Sequence, residues 1–205
     1  MEFTDVVRHR RMVRRYGSER GVSRDAVTRF LDLATRAPSA GFSQGWDFLV
    51  LSTLADRERF WELTADASAA ADTWLEGMRT APVLVICLSD PERYLDRYAE
   101  PDKGWTDRDP DRWPVPYWDV DTGMAALLLQ LAAVDEGLGT CFFGIPSERI
   151  SLVRQGFSIP QNRRPVGVVS IGHPVADRRS PSLRRGRRAL ADVVHDGAFG
   201  TGWQA

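Results

Sequence analysis

Lysine is almost missing from this chain: of 27 basic residues, all but Lys103 are arginine. Cysteine is scarce as well, with only Cys87 and Cys141 among 205 residues, each inside an apolar run. Two thiols with no spacing framework exclude a disulfide scaffold and read as buried free thiols. The three histidines, His9, His173 and His195, lack metal-ligand spacing, which argues against a zinc centre. No apolar run approaches the roughly 20 residues that a membrane span needs. Met1 leads into Glu2 and Asp5, with no basic-then-apolar leader; a cytoplasmic location is expected. Walker A and GxGxxG loops and a nucleophile elbow are all missing. The formal net charge of −1 and a sequence pI of about 6.3 argue against nucleic acid as a partner.

What the chain does have is arginine in two clusters. Arg8, Arg10, Arg11, Arg14 and Arg15 lie near the start, and Arg178, Arg179, Arg184, Arg185, Arg187 and Arg188 near the end. Codon usage accounts for arginine over lysine but not for clustering. The guanidinium fork suits bidentate contacts to phosphate, and two clusters far apart in sequence can meet on one phosphate in a fold. Length and an ordinary balance, 43% hydrophobic and 27% charged, fit one globular domain over residues 1–205.

The pattern of elements mixes helices and strands without strict alternation, which favours an α+β fold. Thr4 is positioned to cap a helix running to about Tyr16, and Ser23 a second helix with Val27, Phe30, Leu31 and Ala34 on one face, ended by Pro38. Strands are expected at 48–51, 82–88, 140–143 and 166–172. Helices are expected after the caps Thr53 and Ser147, and from Trp74 to Met78. The clearest helix is 117–136. Val120, Met124, Leu127, Leu128, Leu131 and Val134 form its expected core face, but its other faces are apolar too, which places it in a core or a subunit interface. Residues 90–116 are polar and broken by five prolines, with Trp105 and Trp113; such a stretch is a lid or a mobile insertion. The tail 173–205 is polar and basic and cannot form its own core, so it is expected to wrap over the body or over a second subunit.

Four segments then fall into a known order: Arg10-Arg11-Met12-Val13-Arg14-Arg15-Tyr16, Ala37-Pro38-Ser39-Ala40-Gly41-Phe42-Ser43-Gln44-Gly45-Trp46, Gly137–Gly144, and Gly172-His173-Pro174 followed by Arg185-Gly186-Arg187-Arg188-Ala189-Leu190. Together they resemble the nitroreductase family of FMN-dependent oxidoreductases. The resemblance spans nearly the whole chain except 90–116. It implies a mixed sheet flanked by helices, an intertwined homodimer with a C-terminal extension embracing the partner, and two FMN molecules at the interface. It also implies NADH or NADPH as electron donor and ping-pong hydride transfer through flavin N5 to a nitroaromatic, quinone or similar acceptor.

Position by position, the resemblance assigns Arg10 and Arg11, with Met12 between the family's basic positions, to the FMN phosphate. Arg14 falls on the ribityl chain and pyrimidine edge, and Arg185 and Arg187 close on the phosphate from the C-terminus. A cation at Arg14 stabilises the charge that two-electron reduction places on the flavin. Pro38, Ser39, Ala40, Phe42 and Gln44 match the segment lying along the flavin from the other subunit. Gly144 and Ile145 match the turn whose backbone N–H faces N5. The scheme requires no side-chain acid or base. Three departures stand out: Met12 for the family's Ser, Phe42 for its Asn and Gly45 for its Pro. Loss of an amide at Phe42 leaves other readings open: a deazaflavin as cofactor, a reductase or dehydrogenase tuned to one metabolite, or a protein that sequesters a flavin without catalysis. The 90–116 stretch, with Tyr117 and Trp118, is the expected lid over the open flavin face.

Overall fold

The sheet exists because two apolar runs lie next to each other at its centre. β2 (Val83–Ser89) is buried at every position, and β4 (Arg164–Gly172) over its last six. In this computed structural model, which describes residues 1–65, 73–177 and 180–203, these strands pair antiparallel and are flanked by β1 (Trp46–Leu51) and β3 (Gly139–Phe143) in the order β1-β2-β4-β3. The ladders are antiparallel. A parallel contribution comes from one bridge, Met12 to Thr140. Arg178 and Arg179 of the C-terminal cluster fall outside the described residues.

Alternation along β2 divides the core. Leu84, Ile86 and Leu88 face a cluster with Phe60, Trp61, Met78 and Val153 from α3 (Leu54–Thr64), α4 (Thr73–Arg79) and α7 (Ile150–Gly156). Val83, Val85 and Cys87 face Phe30, Ala126, Leu129 and Ala133 from α2 (Arg24–Ala34) and α6 (Tyr117–Asp135). Both faces of the sheet are covered, which is why the β2 run is apolar without interruption. The fold is α+β, and two of the expected caps form where the sequence places them: Ser23 accepts from the Ala26 N–H and Thr53 from the Asp56 N–H. Ser147 does not cap a helix; it begins a short 3-10 turn, Ser147–Arg149, and the helix that follows has Arg149 at its N-cap without a side-chain bond.

Three elements differ from expectation. The first helix, α1, is Phe3–His9, shorter than the span to Tyr16, and its cap is Glu2 without a side-chain bond. Residues 10–17 are drawn out of helix by the sheet, because Val13 N–H donates to Thr140 O (2.8 Å) and Gly17 N–H to His173 O (2.9 Å). Helix α6 keeps only part of the expected core face: Val134 is buried and Met124 and Leu128 pack on the core, whereas Val120 and Leu127 are 40% and 45% exposed and Trp118, Ala125, Ala126, Leu129 and Ala133 are buried instead. Small residues let the helix lie close against the sheet, so Val120 and Leu127 point away. Finally, the stretch beginning at residue 90 contains a regular helix, α5 (Pro91–Ala99), with Asp90 as cap and Pro91 in its first turn. Behind it Tyr98, Trp105 and Trp113 form an aromatic cluster with centroids 4.5–5.6 Å apart.

Candidate functional site

The arginines of the N-terminal cluster owe their position to a buried tyrosine. Tyr16 is 2% exposed; its hydroxyl donates to Val13 O (2.7 Å) and shares a hydrogen bond with Ser170 Oγ (2.7 Å). Its backbone N–H donates to Thr80 Oγ1 (2.9 Å). Neighbouring backbones approach closely on both sides. A Cβ at Gly77 in α4 would stand 2.3 Å from Arg14 O, and one at Gly139 2.7 Å from the Val13 side chain. The segment is thus an extended ribbon bound to the end of β3, tethered at both ends and with no room to slide.

Its outer side forms a cleft of about 280 Å³ lined by Arg10, Arg11, Met12, Val13 and Arg14, and closed from the C-terminal segment by Val175, Asp177, Ser180, Ser182, Leu183 and Arg187. Both arginine clusters therefore contribute to one place. Among the described residues, none of Arg10, Arg11, Arg14 and Arg187 forms an ion pair with a carboxylate. Arg29, Arg97, Arg108, Arg112 and Arg163, elsewhere on the surface, each do. With the Asp177 carboxylate as the one acidic lining residue among those described, the four arginines leave the cleft with an excess of positive charge, which suits a polyvalent anion. Arg10 donates to the Met12 sulfur at 3.8 Å, so Met12 packs against a guanidinium although it brings no hydroxyl to the cleft. Arg185, expected at the same place, is exposed at the end of the short turn Pro181–Arg185 and does not line the cleft. Ser180 and Ser182 do line it. They carry no motif in the sequence, and only the fold shows their placement.

Gly144 and Ile145 follow β3, the strand to which Met12 and Val13 are bonded. A Cβ at Gly144 would meet nothing within 4 Å, while Ile145 packs on the core. Burial pushes the Cys141 thiol up to about 11, and the Arg14 guanidinium acts in the opposite sense. Cys141 and Arg14 are thus electrostatic neighbours near the same strand.

The Pro38–Gln44 segment lies elsewhere in the chain and contributes nothing to the arginine cleft. Ser39 Oγ accepts from the Gln44 N–H (2.8 Å), and Ala40 N–H donates to Asp121 Oδ2 (2.8 Å). Asp121, 1% exposed, also accepts from the Tyr94 hydroxyl at 2.8 Å. Burial raises the Tyr94 pKa well above that of an ordinary tyrosine. Tyr94 also explains the departure at Gly45: a Cβ there would stand 2.4 Å from its ring. Phe42 is 75% exposed, Pro38 and Gln44 are exposed, and Trp46 is core beside Ala37 and Ala125. Asp121 and Tyr94 were not legible as site residues, since a lone Asp in a helix and a Tyr in a polar stretch carry no motif. No group of three His, Cys, Asp or Glu able to hold a metal occurs among the described residues.

The family model described as "Nitroreductase family" matches residues 7–173. A protein of Archaeoglobus fulgidus, provisionally named NADH dehydrogenase/NAD(P)H nitroreductase, is 29% identical over 175 residues, which is 84% of this chain and 86% of that protein. Among solved structures, a nitroreductase family protein of Streptococcus pneumoniae matches with a TM-score of 0.69 at 21% identity, over 95% of this chain and 100% of its own. A provisionally named nitroreductase of Exiguobacterium sibiricum, solved in complex with FMN, matches with a TM-score of 0.66 at 22% identity, over 92% of this chain and 98% of its own.

Proposed function

The chain belongs to the nitroreductase family, and from that premise we propose that it is an FMN-dependent NAD(P)H oxidoreductase reducing nitroaromatic, quinone or similar electron-poor acceptors. The observation that carries this reading is the unpaired guanidinium cluster. A phosphate monoester bears about −1.5 to −2 charges at pH 7 and three strong acceptor oxygens. Arg10, Arg11 and Arg187, with the Ser180 and Ser182 hydroxyls, supply the matching donors from both ends of the chain.

When bound, FMN supplies N5 as the atom that takes hydride from a nicotinamide and gives it to an acceptor. The protein's own part is to bind and orient. Arg10, Arg11 and Arg187 hold the phosphate. Arg14, fixed by the backbone bonds of Val13 and Tyr16, holds positive charge at the pyrimidine edge and favours the reduced, anionic state. Gly144, open on its side-chain side, allows backbone to come close to the ring, with Ile145 anchoring that turn in the core. Met12 takes the place of a hydroxyl donor, which the four cations offset.

We assign the second half of the site, Pro38, Ser39, Ala40, Phe42 and Gln44, to the partner subunit of a homodimer. Two features support this. The Val120 and Leu127 stripe of α6 is left open, and the C-terminal segment exposes Leu190, Phe199 and Trp203 at 63%, 93% and 49%. Exposed apolar groups on one helix face and along the C-terminal segment suit an association face in a homodimer. Arg185 is exposed, two residues from the cleft-lining Leu183 and Arg187 in sequence.

The test is equilibrium titration of the cofactor-free protein with FMN and with riboflavin, for wild type and Arg187→Ala. Loss of one charge-assisted contact of about 1.5–3 kcal/mol weakens FMN by roughly 10- to 150-fold and riboflavin little. Equal losses for both ligands would remove the phosphate from this cleft.

A further inference from the structure

The turn from Ser39 to Gly45 is strained, and it is held in that state from below. Gly41, Phe42 and Gln44 have φ of 60°, 56° and 51°, the left-handed region that L side chains seldom adopt. Glycine or asparagine fits such a position with less cost than phenylalanine does. Asp121 holds Ala40 N–H, Tyr94 shares the same carboxylate oxygen, and Arg97 Nε donates to Gly41 O at 2.9 Å. Tyr98 closes the underside: a Cβ at Gly41 would lie 2.7 Å from its ring. The turn is therefore over-determined by its surroundings, the condition under which strain persists at functional positions.

On that rigid turn Phe42 is 75% exposed. The fold does not use its ring, and its backbone conformation disfavours it. The ring also offers no hydrogen bond to the polar edge of a cofactor. What it offers is a flat apolar face, displayed by a turn that cannot retreat.

Resting on the function proposed above, we infer that Phe42 is a specificity-determining residue: its ring is a stacking platform for a planar aromatic electron acceptor at the flavin site of the partner subunit. Asp121, Tyr94 and Arg97 are positioning residues that hold the platform. The cofactor has a charged anchor in the arginine cleft and can be retained through turnover. The acceptor must bind and leave in each cycle, and an aromatic contact, worth about two- to tenfold in affinity, suits that exchange. Compact acceptors without a ring gain nothing from it.

The experiment uses the FMN-loaded protein and the variants Phe42→Leu, which keeps apolar bulk, and Phe42→Tyr, which keeps the ring. Because the side chain is exposed, both fold. The oxidised protein is titrated with 1,4-naphthoquinone in the absence of donor, following the flavin absorption band. KM is then measured for naphthoquinone and for ferricyanide, which has no ring to stack. The expected result is that Phe42→Leu weakens naphthoquinone binding by about two- to tenfold and raises the naphthoquinone-to-ferricyanide KM ratio by the same factor, while Phe42→Tyr restores both. An unchanged ratio in Phe42→Leu overturns the inference, and so does a loss confined to FMN affinity, which would place the ring against the cofactor. A wild-type protein that reduces naphthoquinone while its variants do so equally well overturns this inference alone; a wild type that takes up no FMN overturns both it and the proposed function.

Discussion

A single methyl group at position 77 should disturb the candidate cofactor site without touching any arginine. Gly77 is buried in α4, and a Cβ there would stand 2.3 Å from Arg14 O and 3.4 Å from Arg14 C. Non-bonded carbons prefer about 3.5–4.0 Å, so the two backbones must part by roughly 1 Å. The obstructing atom is main chain and has little freedom. Val13 is bonded to Thr140 on one side, and Tyr16 to Thr80, Val13 and Ser170 on the other. Two effects oppose each other in Gly77→Ala. Alanine gains up to about 1 kcal/mol of helix propensity over glycine, while overpacking a closed site costs about 1–3 kcal/mol. The clash is with backbone, so overpacking wins, with a net loss of up to about 2 kcal/mol in urea unfolding. FMN affinity should fall further, by roughly tenfold or more, because Arg10 and Arg14 lie on the displaced ribbon and charge-assisted contacts are worth about 1.5–3 kcal/mol. Unfolding and FMN titration on the same samples check both numbers. A Gly77→Ala protein that is more stable and binds FMN as the wild type does would refute the idea that this contact seats the arginine segment.

Three further outcomes are expected. Arg14→Ala should lower the reduction potential of bound flavin by about 30–60 mV, the equivalent of about 1.5–3 kcal/mol for a two-electron couple; an unchanged potential in a spectroelectrochemical titration would remove that role. Tyr16→Phe deletes a hydroxyl with partners at 2.7 Å to Val13 O and 2.7 Å to Ser170 Oγ, and should cost about 1–3 kcal/mol of stability; a loss below about 0.5 kcal/mol would mean that the tether is not needed. Burial pushes the Cys87 thiol from 9.0 up to about 12 and that of Cys141 up to about 11. Unfolded thiols lose their protons near pH 9.0 while the folded ones keep theirs, so stability is fully present below pH 9.0 and falls as pH rises from there towards 12. The urea midpoint should therefore drop between pH 8 and pH 10.5, and a flat midpoint would contradict the burial of both thiols.

The parts of the fold legible in the sequence are those written in short-range chemistry. The caps Ser23 and Thr53 and the apolar runs of β2 and β4 each signal locally, and each forms as expected. The arginine clusters were legible as two groups, and the fold brings Arg10, Arg11, Arg14 and Arg187 together in one cleft that Arg185 does not line. Long-range competition set the rest. Helix α1 stops at His9 because Thr140 and His173 offer backbone partners to the residues beyond it, and no pattern within residues 4–16 announces that. The buried face of α6 was legible only in part, at Met124, Leu128 and Val134 but not at Val120 and Leu127, because the helix is apolar on every side. Closeness of approach then decides the orientation, and alanine approaches closer than leucine. Asp121 and Tyr94 were invisible for a related reason: each gains its meaning only from the other and from the Ala40 N–H, 81 positions away from Asp121 in sequence.

The central claim is that this chain carries FMN and passes hydride through it. The most direct measurement is the absorption spectrum of the purified protein, supplemented with FMN where needed, during anaerobic titration with NADPH and with NADH. The account predicts a bound flavin band near the usual visible maximum that bleaches stoichiometrically with at least one of the two donors and returns when a naphthoquinone is added. A protein that shows no flavin band even after soaking in FMN, or a bound flavin that neither nucleotide bleaches, would contradict it.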